Sequence, residues 1–312
     1  MTYSNKHNPI TGTAAQAVPS TAKIVPEKLF SAPNVTVLAR KGNAAILHKH
    51  LSHGMQTTPI FTKTPCLNIV VQGLKRIHTH DDDYFEVSKD EVVFMPQDIY
   101  SIADIGITES NAFETYLFFF DESVIHEYLD SRRISLADGD PLEVFTCKYG
   151  KSLRLFANSL IPLFQSLDEK ANDLVKVKLL EALYLLEAAD KEKKFTNWLF
   201  RSTKGRERDL KVFMEQHADK GLTVKDYAAL TGRSESVFRR EFKQSYGIPP
   251  SEWLLKKKLS RAEKLLSEGT SVADTAYAIG YENTSHFIRA FRKLYTVSPK
   301  EFQSLQGLQV LS

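Results

Sequence analysis

The sequence predicts an α+β protein of two domains: a β-rich antiparallel sandwich or barrel over residues 27–150, a helical segment over 151–200, and an all-α domain over 201–312. Three observations carry that prediction. Between about Leu29 and Phe120, short runs such as "NVTVLAR", "LNIVVQG", "EVVFMP" and "TYLFFFD" are punctuated by Gly, Pro, Asp or Asn, the texture of strands in a small sandwich or barrel. From Leu153 to Leu186 the apolar period lengthens to that of helices. Beyond residue 200 one phrase is written twice.

Each element follows in order. Residues 1–26 are rich in Thr, Ala, Ser, Asn and Pro without apolar periodicity and read as a flexible arm. In the helical segment, Leu153, Phe156, Leu160, Leu163, Phe164 and Leu167 form one stripe. Val175, Leu179, Leu183 and Leu186 form a second, after the polar break "DEKAND". Two amphipathic helices of this kind serve as a linker or as a dimerisation segment, and a homodimer through 151–190 is the favoured expectation. The charged "DKEKK" at 190–194 and the basic "RSTKGRER" at 201–208 suggest a hinge, with the domain boundary after Phe200.

Composition narrows the function. The 312 residues are 42% hydrophobic and 11% aromatic, enough for globular cores. No apolar run approaches the ~20 residues of a membrane span, and the polar start lacks the layout of a signal peptide, so a soluble, cytoplasmic protein is expected. Cys66 and Cys147, the only cysteines, are too few for a disulfide framework or a cysteine zinc site, and read as buried bystanders. Residues 1–200 carry 21 Lys and Arg against 25 Asp and Glu, a net of −4, whereas residues 201–312 carry 20 against 13, a net of +7. That asymmetry points to a polyanion met by the C-terminal domain.

The repeat says how. Thr223 over Ser271 starts a match through Val224/Val272, Asp226/Asp274, Ala228/Ala276 and Gly232/Gly280 at an offset of 48. After the glycine the offset is 49, through Phe238/Phe287, Arg240/Arg289, Phe242/Phe291, Tyr246/Tyr295 and Pro250/Pro299. Each copy opens on a hydroxyl suited to cap a helix, runs to a glycine turn, and begins a second helix whose phenylalanines, four apart, share one face. The outer face then carries Ser236, Arg239, Arg240 and Lys243 in the first copy, and Thr284, Ser285, His286, Arg289 and Arg292 in the second. A short helix, a glycine turn and a basic second helix make a helix-turn-helix. Arginine supplies two parallel donors for guanine, and serine suits base edges or phosphates, so the expected partner is double-stranded DNA.

Residues about 207–305 resemble the DNA-binding domain of the AraC/XylS family, two helix-turn-helix units joined by a long helix. The resemblance is carried by "SVADTAYAIGYENTSHFIRAFRKLYTVSPKEF" in the second unit and by "WLLKKKLSRAEKLL" in the joining helix, with Leu259, Ala262, Leu265 and Leu266 as its buried stripe. It implies that Ser236, Arg239 and Arg240, with Thr284, Ser285, His286 and Arg289, face the bases. Arg239 and Arg289 are expected at matching stations, with Lys243 on a phosphate. A joining helix over 251–267 is ~25 Å long and sets the two recognition helices about one DNA turn apart. Thr296 stands where the family has a helix-ending glycine, so it must either adopt a left-handed conformation or end the helix differently. The family implies a transcription regulator, an activator, with RNA polymerase as a partner.

The stretch "PCLNIVVQGLKRIHTHDDDYFEVSKDEVVFMPQD" resembles a cupin-like β-barrel, which commonly precedes this DNA-binding domain in the family. It implies a regulatory domain answering to a small molecule or a protein partner. Tyr84, Phe94, Tyr100, Tyr116 and Phe118 are candidate pocket walls, more simply read as core. His78 and His80, followed by Glu86, with His48, His50 and His53 upstream, raise the alternative of a metal-dependent cupin enzyme or a metal sensor. The glutamate lies six residues beyond His80, outside the cupin metal spacing, and structural histidines are the simpler reading. No catalytic residue, metal site or cofactor is assigned.

Overall fold

Gly73 divides the β-rich domain into two sheets. Its φ of +91° and the 2.6 Å that would separate a Cβ from the Ile105 carbonyl oxygen admit only glycine. There the chain leaves one sheet, at β5, and enters the other, at β6. The computed structural model describes residues 22–79, 83–107, 111–132, 144–167, 169–203 and 208–309.

The strands are β1 (Lys23–Val25), β2 (Val35–Lys41), β3 (Ala44–Leu51), β4 (Met55–Thr62), β5 (Cys66–Gln72), β6 (Leu74–Thr79), β7 (Tyr84–Ser88), β8 (Glu91–Met95), β9 (Ile99–Ile105), β10 (Phe113–Phe119) and β11 (Phe145–Lys148). They form a five-stranded sheet in the order β1-β4-β9-β6-β7 and a six-stranded sheet in the order β11-β8-β5-β10-β3-β2. All ladders are antiparallel except β1 on β4. Of the sandwich or cupin-like barrel expected, the strands thus form a two-sheet sandwich. β1 lies within the stretch expected to be a flexible arm.

The six-stranded sheet is buried on both faces, which is why "TYLFFFD" shows no polar alternation. Leu67, Ile69, Tyr116 and Phe118 turn toward the helices, whereas Cys66, Val70, Leu117 and Phe119 turn inward. The helices are α1 (Glu122–Asp130), α2 (Lys151–Gln165), α3 (Val175–Ala189) and α4 (Phe195–Thr203). Leu153, Phe156, Leu160 and Phe164 of α2 and Leu179, Leu183 and Leu186 of α3 are buried in one core with Phe94, Phe118, Phe195 and Trp198. The stripes expected to dimerise thus close onto this chain's own sheet. The expected boundary after Phe200 falls inside α4.

The C-terminal domain comprises α5 (Leu210–His217), α6 (Val224–Leu230), α7 (Glu235–Tyr246), α8 (Pro250–Ser267), α9 (Val272–Ala278), α10 (Thr284–Tyr295) and α11 (Pro299–Gln309). It has two cores. Met214, Tyr227, Phe238, Phe242 and Trp253 fill the first; Leu259, Ala262, Ala276, Phe287 and Phe291 fill the second. The joining helix α8 supplies Trp253 to one and Leu259, Ala262 and Leu266 to the other, with Leu265 packed alongside the second. Its 18 residues at ~1.5 Å rise each span roughly 27 Å.

Candidate nucleic-acid interface

The two helix-turn-helix units are built from the same local devices. Thr223 and Asp226 form a reciprocal capping box at the start of α6, whereas at α9 the Asp274 amide donates to the Ser271 hydroxyl at 3.1 Å and that hydroxyl donates to the Asp274 carboxylate at 2.6 Å. Gly232 and Gly280 turn the chain with φ of 70° and 75°. Ser234 caps α7 and Asn283 caps α10, accepting from Val237 and Ser285 amides.

The helix ends show how the repeat tolerates its one irregularity. Gly247 closes α7 with φ 75°, its amide donating to Lys243 O. Thr296 closes α10 with φ 66°, its amide donating to Arg292 O. The cap geometry is kept and the threonine takes the strained conformation, at about 1–2 kcal/mol for a residue with a Cβ.

With the phenylalanines turned inward, Ser236, Arg239, Arg240 and Lys243 are exposed on α7, and Ser285, His286, Arg289 and Arg292 are exposed on α10; Thr284 is half-buried. The helices align at a constant offset, pairing Ser236 with Ser285, Arg240 with Arg289 and Lys243 with Arg292. Arg239 and Arg289, expected at matching stations, do not hold them; the counterpart of Arg239 is Ile288. Arg239 donates from Nε and Nη2 to Glu235 Oε1 at 2.9 and 2.6 Å, while Arg289 Nε donates to the Ser285 carbonyl at 3.4 Å.

The β-rich domain holds a cavity of about 310 Å³ between its sheets. Val25, Ile60, Met95, Leu117 and Phe119 give it apolar walls. At one side Lys75 Nζ lies 2.5 Å from Asp104 Oδ1 and Lys49 Nζ lies 2.7 Å from Asp104 Oδ2. Burial works to raise the Asp104 carboxyl, but Lys75 and Lys49 together hold it below its ordinary range. Burial lowers Lys75, and it pushes the Cys66 thiol on the cavity wall up to about 12. None of the five aromatics proposed as walls lines this space: Phe94, Tyr116 and Phe118 face the helices, Tyr100 packs in the core between the sheets, and Tyr84 is exposed.

The candidate metal residues are dispersed. The His48 ring bonds Glu114 at 2.7 Å, and this contact holds the Glu114 carboxyl below its usual range. His53 bonds Ser52, the His78 ring lies 4.8 Å from that of Tyr84, and Glu86 pairs with Arg76. His80 lies outside the described residues. Among the described residues no group of three or more His, Cys, Asp and Glu is arranged to hold a metal.

A helix-turn-helix domain model matches residues 227–304, and the ExsA N-terminal regulatory domain model matches residues 65–198. The chain carries an AraC-type helix-turn-helix domain behind an ExsA-type N-terminal domain. The chain is 33% identical over 92 residues to a probable transcriptional regulator, LumQ, of Photobacterium leiognathi, covering 29% of this chain and 37% of that one. It is 26% identical over 129 residues to the virulence regulon transcriptional activator VirF of Yersinia enterocolitica, covering 41% and 48%. Each match spans less than half of the relative's length. Among solved structures, an apo ToxT variant from Vibrio cholerae aligns over 85% of this chain and 98% of its own, at 12% identity and a TM-score of 0.43.

The chain also joins its domains through contacts that sequence reasoning missed. Arg208 donates to Asp98 Oδ2 at 2.5 Å and to the Leu230 carbonyl, and Arg233 Nη1 donates to the Arg208 carbonyl at 2.9 Å. Phe61 and Ile99, from β4 and β9, sit in the core of the first helix-turn-helix unit. Asp98 and Arg208 are 110 positions apart, and nothing local to either marks the pairing. Glu235 and Ile288 were also missed, although helical spacing places both near the outer faces.

Proposed function

We propose that this chain is a sequence-specific DNA-binding transcription regulator, an activator, that reads two successive major-groove segments. One observation carries the reading: two helices with the same left-handed C-terminal cap and matched Ser, Arg and basic stations, borne at either end of one rigid α8. The matched relatives, a probable transcriptional regulator and a transcriptional activator, support it. Among the described residues no helix is long and apolar enough to cross a membrane, which fits a protein that works on DNA in the cytoplasm. Lys243 and Arg292 suit phosphates; Arg240 and Arg289 suit guanine edges. Ser236, Ser285, His286, Thr284 and Arg239 complete the facing surface. As an activator its further partner is RNA polymerase.

The cavity is the effector site in this reading. Apolar walls with two lysines sharing one carboxylate suit a small, largely apolar molecule carrying an acceptor group. A homodimer would use the exposed Leu155, Val177 and Tyr184, because the inward stripes of α2 and α3 are already consumed.

Selection of bound sequences from random DNA, followed by footprinting, tests the reading. Arg240→Ala and Arg289→Ala should each weaken cognate binding by roughly 1–3 kcal/mol and relax base preference at sites roughly 10 bp apart. Loss of preference at the same base pairs for both variants would end the two-reader reading.

A further inference from the structure

The two recognition helices are unequal at one station, and the difference is chemical. Along the constant offset their outward residues match in kind: Ser236 with Ser285, Arg240 with Arg289, Lys243 with Arg292. On the flank next to that row, α7 carries Glu235 and Arg239 and α10 carries Thr284 and Ile288. The glutamate occupies one edge of the Arg239 guanidinium, accepting from Nε and Nη2. The opposite edge, one N–H from each terminal nitrogen, is left facing away from Glu235 with its side chain already ordered. That edge is the fork that matches guanine O6 and N7. An exposed ion pair contributes little to folding, so its consequence lies in holding the fork in place before DNA arrives.

Ile288 has no such partner. It is 36% exposed, and Ser285, His286, Arg289 and Arg292 around it on the helix are exposed and polar or basic, the helix's other exposed apolar side chain being Leu294, six residues on. Its core-facing neighbours Phe287 and Phe291 are fully buried without it. A β-branched side chain in a helix is nearly fixed at χ1, so it presents a rigid apolar surface. The one apolar group that a major groove offers at a base edge is the C5-methyl of thymine.

We propose that Ile288 reads a thymine methyl in the second DNA segment, whereas Arg239, held by Glu235, reads a guanine at the equivalent step of the first. The inference rests on the DNA-reading function proposed above and assigns a base to each half of the recognition surface.

The full chain and its selected DNA site provide the test. Each thymine is replaced singly by deoxyuracil, which keeps base pairing and lacks only the methyl, and binding is read by fluorescence anisotropy. In the segment weakened by Arg289→Ala, one such replacement should lower affinity about four-fold, the effect of leaving one methyl-sized group uncovered. In Ile288→Ser the same replacement should have no effect, while Ile288→Val should keep the sensitivity. In the other segment Arg239→Ala and, more weakly, Glu235→Gln should erode preference for one guanine. If no deoxyuracil in the second segment matters, or if it matters equally in wild type and Ile288→Ser, the assignment of Ile288 is overturned while the regulator reading stands. If the chain selects no sequence at all, that reading fails and this inference falls with it.

Discussion

Arg208 Nη2 lies 2.5 Å from Asp98 Oδ2, with both side chains largely buried at 13% and 11% exposure. This pair ties the start of β9 to the segment entering the first helix-turn-helix unit. The Asp98 backbone is in turn held by Thr62, whose hydroxyl accepts from the Asp98 amide at 3.0 Å, and Thr62 borders the cavity. The β-rich domain therefore grips the first helix-turn-helix unit through the same strands that wall its cavity.

Asp98→Ala should lower stability by ~2–3 kcal/mol, less than the full effect of breaking a wholly buried pair because both groups keep some solvent contact. Urea unfolding measures it. A change below ~0.5 kcal/mol would mean that the contact contributes nothing to docking.

Phe61→Ala empties a fully buried position in the first unit's core and should remove ~3–4 kcal/mol. Because Phe61 belongs to the other domain, the DNA-binding domain should then melt before the sandwich. Calorimetry should resolve one transition in wild type and two in the variant; a single lowered transition would show that the domains are coupled elsewhere.

A fragment of residues 208–312 should bind DNA with an affinity that falls steeply as salt rises. It should melt below the temperature of the same helices in the intact chain, since Phe61, Ile99 and Asp98 no longer cover it. Lys243→Ala in this fragment should flatten the salt slope by about one unit and weaken cognate and random DNA alike. Equal affinity at low and raised salt would contradict the electrostatic basis of binding.

Thr296→Gly should stabilise the second unit by about 1 kcal/mol by relieving the left-handed threonine, and Gly247→Thr should destabilise the first by a similar amount. Opposite shifts in thermal midpoint check the pair. Shifts of the same sign would refute the shared cap.

Cys66 and Cys147 are each pushed up to about 12 by burial. The thiolate is the reactive form, so neither should react with a thiol reagent at pH 8 until the protein unfolds. Labelling followed by mass spectrometry measures this directly, and rapid modification of the folded chain would remove the reading of both as bystanders.

The repeat was legible because its parts are local. Caps at Thr223, Ser234 and Ser271, the turns at Gly232 and Gly280, and phenylalanines four apart act within one or two helical turns, and periodicity exposes them without any knowledge of the fold. The outward positions of Ser236, Arg240, Lys243, Ser285, Arg289 and Arg292 follow from the same spacing. Strand runs were legible in the same way, but their assembly was not: whether "LNIVVQG" and "LKRIHT" lie in one barrel or two sheets depends on the close approach of Ile105 and Phe113 to Gly73. Only tertiary packing decided that the α2 and α3 stripes turn inward onto the sheet, that the cavity is walled by Val25, Leu117 and Phe119, and that Lys75 shares Asp104 with Lys49. It also decided that Asp98 and Phe61 hold the first unit. Hydrogen bonds and core contacts between residues tens to a hundred positions apart leave no periodic trace in the chain, because each partner is placed by a different element and the pairing arises only when those elements dock.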